Sequence, residues 1–232
     1  MALGRAMYGV TVLLAHQIDL LCEKDIPKYK KGSLYELIKS SYKVKGRLLY
    51  YFPVDKGAED NWIGWHNDSG FLTALTSALF FNDVTGEVIP NPDPNGGLYI
   101  VNRAGGTIKA RIPADNLGVQ CGECLQIFTG GLLVATPHCV RSSEPPEGLK
   151  VGRGTFPVFV DTPPGYILQR PEGTTLEQVF DQAPDTRVPP LAERWDGSDV
   201  TFGKFLGDTF KQYYEWSTMD KGDMEKKMGH AM

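Results

Sequence analysis

The sequence predicts an α+β fold, a β-rich core with amphipathic helices at its two ends. Three observations predict it. Apolar residues recur at helical spacing near both ends, short β-branched and aromatic runs fill the middle, and 26 glycines and 16 prolines supply turns between those runs. At 232 residues the chain fits one domain, because β sandwiches and barrels of this size are often single domains. Hydrophobic and charged contents of 41% and 22% are those of an ordinary soluble globular protein. The net charge of −4 argues against a nucleic-acid binder driven by phosphate contacts.

In chain order, Met7, Val10, Leu14, Ile18 and Leu21 predict an amphipathic helix over residues 1–25, followed by a short helical piece around Leu34, Leu37 and Ile38. Gly46 to Pro53 reads as a strand ended by proline, and Asp55 to Asn61 as a polar loop. Phe71 to Phe81 reads as a buried strand or a short helix, its start beside His66 and Asp68 favouring the strand, and 82–97 as a long loop. Leu98 to Val101 and Thr107 to Ile112 form a hairpin turning at Gly105 and Gly106. Val119 to Thr129 reads as two strand pieces around Gly122, and Leu132 to Ala135 as a strand running on to His138. Residues 142–152 read as a polar loop and Arg153 to Val160 as a strand. Past Pro164 the chain is loop-rich until a helix over 201–216, marked by Phe202, Phe205, Leu206, Phe210 and Tyr213. The tail from Thr218 is polar and expected to be mobile.

The apolar run from Gly9 to Ala15 is too short for a membrane span and lacks the form of a secretory signal, so no membrane partner and a cytoplasmic location are expected. Cys22, Cys121, Cys124 and Cys139 are then expected as reduced thiols. Cys121 and Cys124 form a CxxC at an apparent turn, without the second pair of ligands that a zinc site needs. Cys139 alternates to the strand face opposite His138.

His66 and Asp68 flank Asn67. In a strand, side chains two apart share a face, so both can reach one metal while Asn67 turns away. His16 falls in the first helix and His230 in the tail, which leaves His138 as the distant third ligand. Two histidines and a carboxylate on one face of an octahedral metal are the ligand set of a non-haem iron(II) oxygenase. Arg153 can fork onto a carboxylate, and Thr155, on the same face of the same strand, can add a hydroxyl.

The chain resembles the iron- and 2-oxoglutarate-dependent oxygenases of the isopenicillin N synthase-like family. The resemblance rests on Gly46 to Pro53, His66 to Thr73, Gly97 to Val101, Gly122 to Gly131, Ala135 to Val140 and Arg153 to Thr155, in order from about residue 5 to about residue 215. It implies a double-stranded β-helix (jelly roll) with helices packed on one side. It implies a single oxygenase domain over 1–232, with 1–45 as helical lead-in, 46–165 as jelly-roll core and 166–232 as loop and C-terminal helix. It implies Fe(II) held by His66, Asp68 and His138, and 2-oxoglutarate held by Arg153 and Thr155 with help from Tyr51. Phe159 stands where some members stack an aromatic on the substrate.

Departures from the family pattern are Thr155 for serine, Leu49 for asparagine and Cys139 for arginine. Members usually carry a longer segment before the first long helix. A sheet edge left exposed by its absence favours self-association into a homo-oligomer.

The expected function is an Fe(II)- and 2-oxoglutarate-dependent dioxygenase that uses O₂ to hydroxylate or desaturate a small molecule, giving succinate and CO₂. The alternative is a catalytically degenerate jelly-roll binding protein of the same family. A zinc hydrolase would use the same ligand triad, but has less use for Arg153 and Thr155.

Overall fold

The structure is a computed structural model, and it describes residues 1–54, 61–181 and 187–218. Most of the loop predicted over 55–61, the polar tail and His230 lie outside the described residues.

Two helices open the chain, α1 (Ala2–Asp25) and α2 (Ser33–Ser40), where helical spacing predicts them. The buried stripe of α1 is Met7, Thr11, Ala15, Ile18 and Cys22, whereas Val10, Leu13 and Leu21 are exposed. The helix is apolar around much of its circumference, so periodicity locates the helix better than its buried face. Asp19 is buried because it caps α2. It accepts from Leu34 N (3.0 Å), Tyr35 N (2.7 Å) and the Tyr29 hydroxyl (2.7 Å), which satisfies donors that a helix start leaves orphaned.

The strands that follow are β1 (Lys43–Gly46), β2 (Leu49–Tyr51), β3 (Asn61–His66), β4 (Leu72–Thr76), β5 (Leu79–Asn82), β6 (Val88–Ile89), β7 (Gly97–Val101), β8 (Thr107–Lys109) and β9 (Leu117–Cys121). A short helix α3 (Glu123–Phe128) precedes β10 (His138–Arg141), β11 (Val151–Thr155) and β12 (Val158–Asp161). Then come β13 (Ile167–Leu168), α4 (Leu176–Phe180), a 3-10 turn (Leu191–Glu193), β14 (Val200–Thr201) and α5 (Phe202–Thr218). The pairings among the described residues are antiparallel and form three four-stranded sheets, ordered β1-β12-β4-β9, β3-β10-β7-β8 and β2-β11-β5-β6, with a β13-β14 pair apart. Helix α1 lies on β4 and β12.

Three runs predicted as single strands each break in the middle. Residues 46–53 divide at Arg47 and Leu48, 71–81 at Ser77 and Ala78, and 153–160 at Phe156 and Pro157. The breaks coincide because the three segments pair side by side: β1-β12-β4 continues as β2-β11-β5. Pro157 cannot donate to a ladder, and its carbonyl instead accepts from Arg47 N (3.0 Å) at the bend. One hydrogen-bonded ribbon therefore folds over from one sheet into another.

Two further expectations are corrected. The second strand piece predicted within 119–129 is helix α3, with all six residues buried, so the CxxC spans a strand end and a helix rather than a turn between strands. The strand predicted over 132–135 is irregular chain. A short apolar run does not tell a buried strand from a buried helix by pattern. The long loop over 82–97 contains β6, folded back on β5. The hairpin at Gly105 forms, although β8 ends at Lys109 rather than Ile112. Phe71, Leu72, Leu125, Val160 and Phe205 are fully or almost fully buried in the core between helices and sheet. Each contributes roughly 1.5–3 kcal/mol by leaving water.

Candidate metal centre

Strands β3 and β10 pair so that His66 stands directly opposite His138. Asp68 follows two residues after His66, in the turn leading to β4. One ligand atom from each of His66, Asp68 and His138 lies within 4.8 Å of the others. The two rings are 4.1 Å apart between centroids, and His138 Nε2 is 3.9 Å from Asp68 Oδ1.

Both rings are oriented by the backbone. His66 Nδ1 lies 2.9 Å from Gly64 O, and His138 Nδ1 lies 3.1 Å from Thr136 O. A carbonyl only accepts, so these contacts place the proton on Nδ1 and leave the Nε2 lone pair free to bind a metal. Burial, reinforced by the neighbouring His66, pushes the His138 pKa down to about 4, so its ring is neutral near pH 7. Asp68 Oδ2 is buried without a hydrogen-bond partner among the described residues. Two imidazole nitrogens and an unsatisfied carboxylate oxygen fit a divalent transition metal in chemistry and in spacing.

The triad opens into a cavity of about 640 Å³ between the three sheets. Arg153, Thr155, Tyr51 and Phe159 line the same cavity. Tyr51 faces Arg153 across the β2-β11 ladder, and Thr155 faces Leu49. Arg153 is 7% exposed, and its Nε and Nη1 have no hydrogen-bond partner among the described residues. A buried guanidinium with these two donors unpaired fits a carboxylate that it can hold by two bonds. Phe159, opposite Thr73 in the ladder, carries the Arg47 guanidinium 5.1 Å above its ring. Asn91, Pro94 and Gly96 of the long 82–97 segment also line the cavity. Cys139 is fully buried, and all four cysteines carry free thiols.

Asn67 turns away from the triad, but into a buried network rather than into water. Its Nδ2 donates to Glu123 Oε1 (3.0 Å), and Arg194 pairs with both oxygens of Glu123 (2.5 and 2.6 Å). Asn67 N donates to the Tyr213 hydroxyl (2.7 Å). Sequence reasoning missed Glu123, Arg194 and Tyr213. The one signal for them is a charged residue, Glu123, inside an otherwise uncharged run.

Among the described residues no helix is long and apolar enough to cross a membrane. No protein-family model matches the chain, and a search of curated proteins finds no relative. Solved structures do match. One is a candidate 2OG-Fe(II) oxygenase family protein of Caulobacter crescentus, at 21% identity and a TM-score of 0.60, covering 90% of this chain and 57% of that one. Another is a candidate oxygenase of Shewanella oneidensis, at 22% identity and a TM-score of 0.52, covering 76% of this chain and 60% of that one. The chain thus spans less than two thirds of the length of either protein, and over that span it has the fold of these oxygenases.

Proposed function

We propose that the chain is an Fe(II)- and 2-oxoglutarate-dependent dioxygenase, a single oxygenase domain with a double-stranded β-helix core, which hydroxylates or desaturates a small-molecule substrate. The observation that carries this reading is the meeting, around one cavity, of a two-histidine, one-carboxylate cluster with a buried arginine whose Nε and Nη1 have no hydrogen-bond partner among the described residues. A zinc hydrolase would use the first feature and has less use for the second.

In this reading His66, Asp68 and His138 hold Fe(II), and Arg153 and Thr155 hold the far carboxylate of 2-oxoglutarate. When bound, Fe(II) and 2-oxoglutarate supply the oxidation: 2-oxoglutarate loses CO₂ to become succinate, O₂ is reduced, and a C–H bond of the substrate is oxidised. The residues of the chain bind, orient and exclude water. Nδ1 contacts to Gly64 and Thr136 fix both imidazoles before a metal arrives. Tyr51 packs its ring against the Arg153 guanidinium and limits the directions in which it can point. Phe159 offers an aromatic face to the substrate.

The test is succinate release from 2-oxoglutarate by purified protein, with and without Fe(II). The proposal expects Fe(II)-dependent release that disappears in His66→Ala. Release at the iron-free background would remove it and favour a binding protein on the same fold.

A further inference from the structure

The turn that carries Asp68 is held from three directions, each by groups away from the cavity. Gly122 N donates to Phe71 O (3.0 Å), Glu123 N to Asp68 O (2.8 Å) and Cys124 N to Gly70 O (3.1 Å), so the start of α3 clamps the backbone of residues 68–71. The Glu123 side chain then accepts from Asn67 Nδ2, and the Tyr213 hydroxyl accepts from Asn67 N. Phe205, Thr209 and Tyr213 recur every four residues on one face of α5. That face encloses Arg194, which donates to Thr209 Oγ1 (3.2 Å) and lies under the Tyr213 ring at 5.7 Å. Glu123 and Thr209 are fully buried, and Arg194 is 8% exposed. A charge pair so deep requires both partners, since either one alone is an uncompensated charge out of water.

We propose that Tyr213 and the Glu123–Arg194 pair are positioning residues for the metal ligand set, through which α5 fixes the angle between His66 and Asp68. The inference rests on the metal-centre reading above. The reason is geometric. Asn67 is the single residue between two ligands, and its amide N–H and its side chain are both bound by this network. A ligand turn fixed in this way loses little freedom on metal binding. Loosened, it must be ordered by the metal itself, and affinity falls. Outer partners of metal ligands typically change affinity by about 10- to 100-fold.

Cobalt(II) titration, followed by visible absorption at a temperature well below unfolding, tests this on the whole chain. Wild type is expected to bind, and His66→Ala to lose binding. Tyr213→Phe removes one hydroxyl and is expected to weaken cobalt binding about tenfold or more. Phe210→Gly, at an exposed position of the same helix, lowers thermal stability without touching the network and is expected to keep wild-type affinity. If Tyr213→Phe does not fold, Asn67→Ala, which cuts the side-chain link to Glu123, carries the same expectation. Wild-type affinity in a folded Tyr213→Phe or Asn67→Ala protein would overturn the inference and leave the metal centre standing. An equal loss in Phe210→Gly would overturn it too, by showing that general loosening of α5 is enough. Failure of wild type to bind cobalt would remove the metal centre and the inference together.

Discussion

Arg153 and Tyr51 stand opposite one another across the β2-β11 ladder, with the guanidinium carbon 5.1 Å from the centre of the tyrosine ring. The ring covers one side of a buried cation, whose Nε and Nη1 have no hydrogen-bond partner among the described residues. If those donors hold 2-oxoglutarate, Arg153→Ala should weaken its binding by about 2–5 kcal/mol, roughly 30- to 5000-fold. Thr155→Val should lose less, about 1.5–3 kcal/mol. Calorimetric titration with 2-oxoglutarate in the presence of Co(II) measures both, and an unchanged affinity in Arg153→Ala would contradict the assignment.

Gly122 is a place where side-chain volume is forbidden by backbone. A Cβ there would lie 2.1 Å from Gly70 O, in the turn beside Asp68. Gly122→Ala is therefore expected to destabilise by about 1–3 kcal/mol and to weaken metal binding at the same time. Gly9→Ala meets nothing within 4 Å on an exposed face of α1 and should stabilise by about 0.5–1 kcal/mol. Urea unfolding of the pair checks both signs.

Phe71 follows the ligand turn, fully buried, with its ring 5.9 Å from Phe128 and 6.2 Å from Tyr166. Truncation to alanine should cost about 3–5 kcal/mol from lost burial and a cavity. A loss below 1 kcal/mol by urea unfolding would mean that this core does not pack as described.

Burial pushes the Cys22 thiol up to about 11. The unfolded chain ionises this thiol near 8.5, so the folded state holds more protons between those values. The contribution to stability is present below pH 8.5 and is lost as pH rises through 11. Wild type should therefore lose stability more steeply than Cys22→Ala over that range, and its Cys22 should resist thiol reagents at pH 8 until the protein is unfolded. Parallel pH profiles, or rapid native labelling of Cys22, would contradict this.

The grouping of the candidate site was legible because its chemistry is local in sequence. His66 and Asp68 alternate onto one side within three residues, Arg153 and Thr155 repeat that spacing, and few histidines compete for the third place. The structure sets them, with Tyr51 and Phe159, around one cavity. What could not be read depends on partners far along the chain. Glu123 is tolerable inside a helix only because Arg194 meets it there, and Tyr213 matters only because α5 returns to Asn67. The strand breaks were hidden for a related reason. Apolar residues continue on both sides of Ser77 and Pro157, and only the side-by-side pairing of three segments shows that they bend together. Helix α3 was misread because six buried residues carry no period.

The most direct test of the central claim is an anaerobic titration of the purified protein with Fe(II) and 2-oxoglutarate, following the visible metal-to-ligand charge-transfer band. The account predicts a band in wild type that is absent in His66→Ala and needs far more 2-oxoglutarate in Arg153→Ala. Folded wild-type protein that develops no band would contradict it.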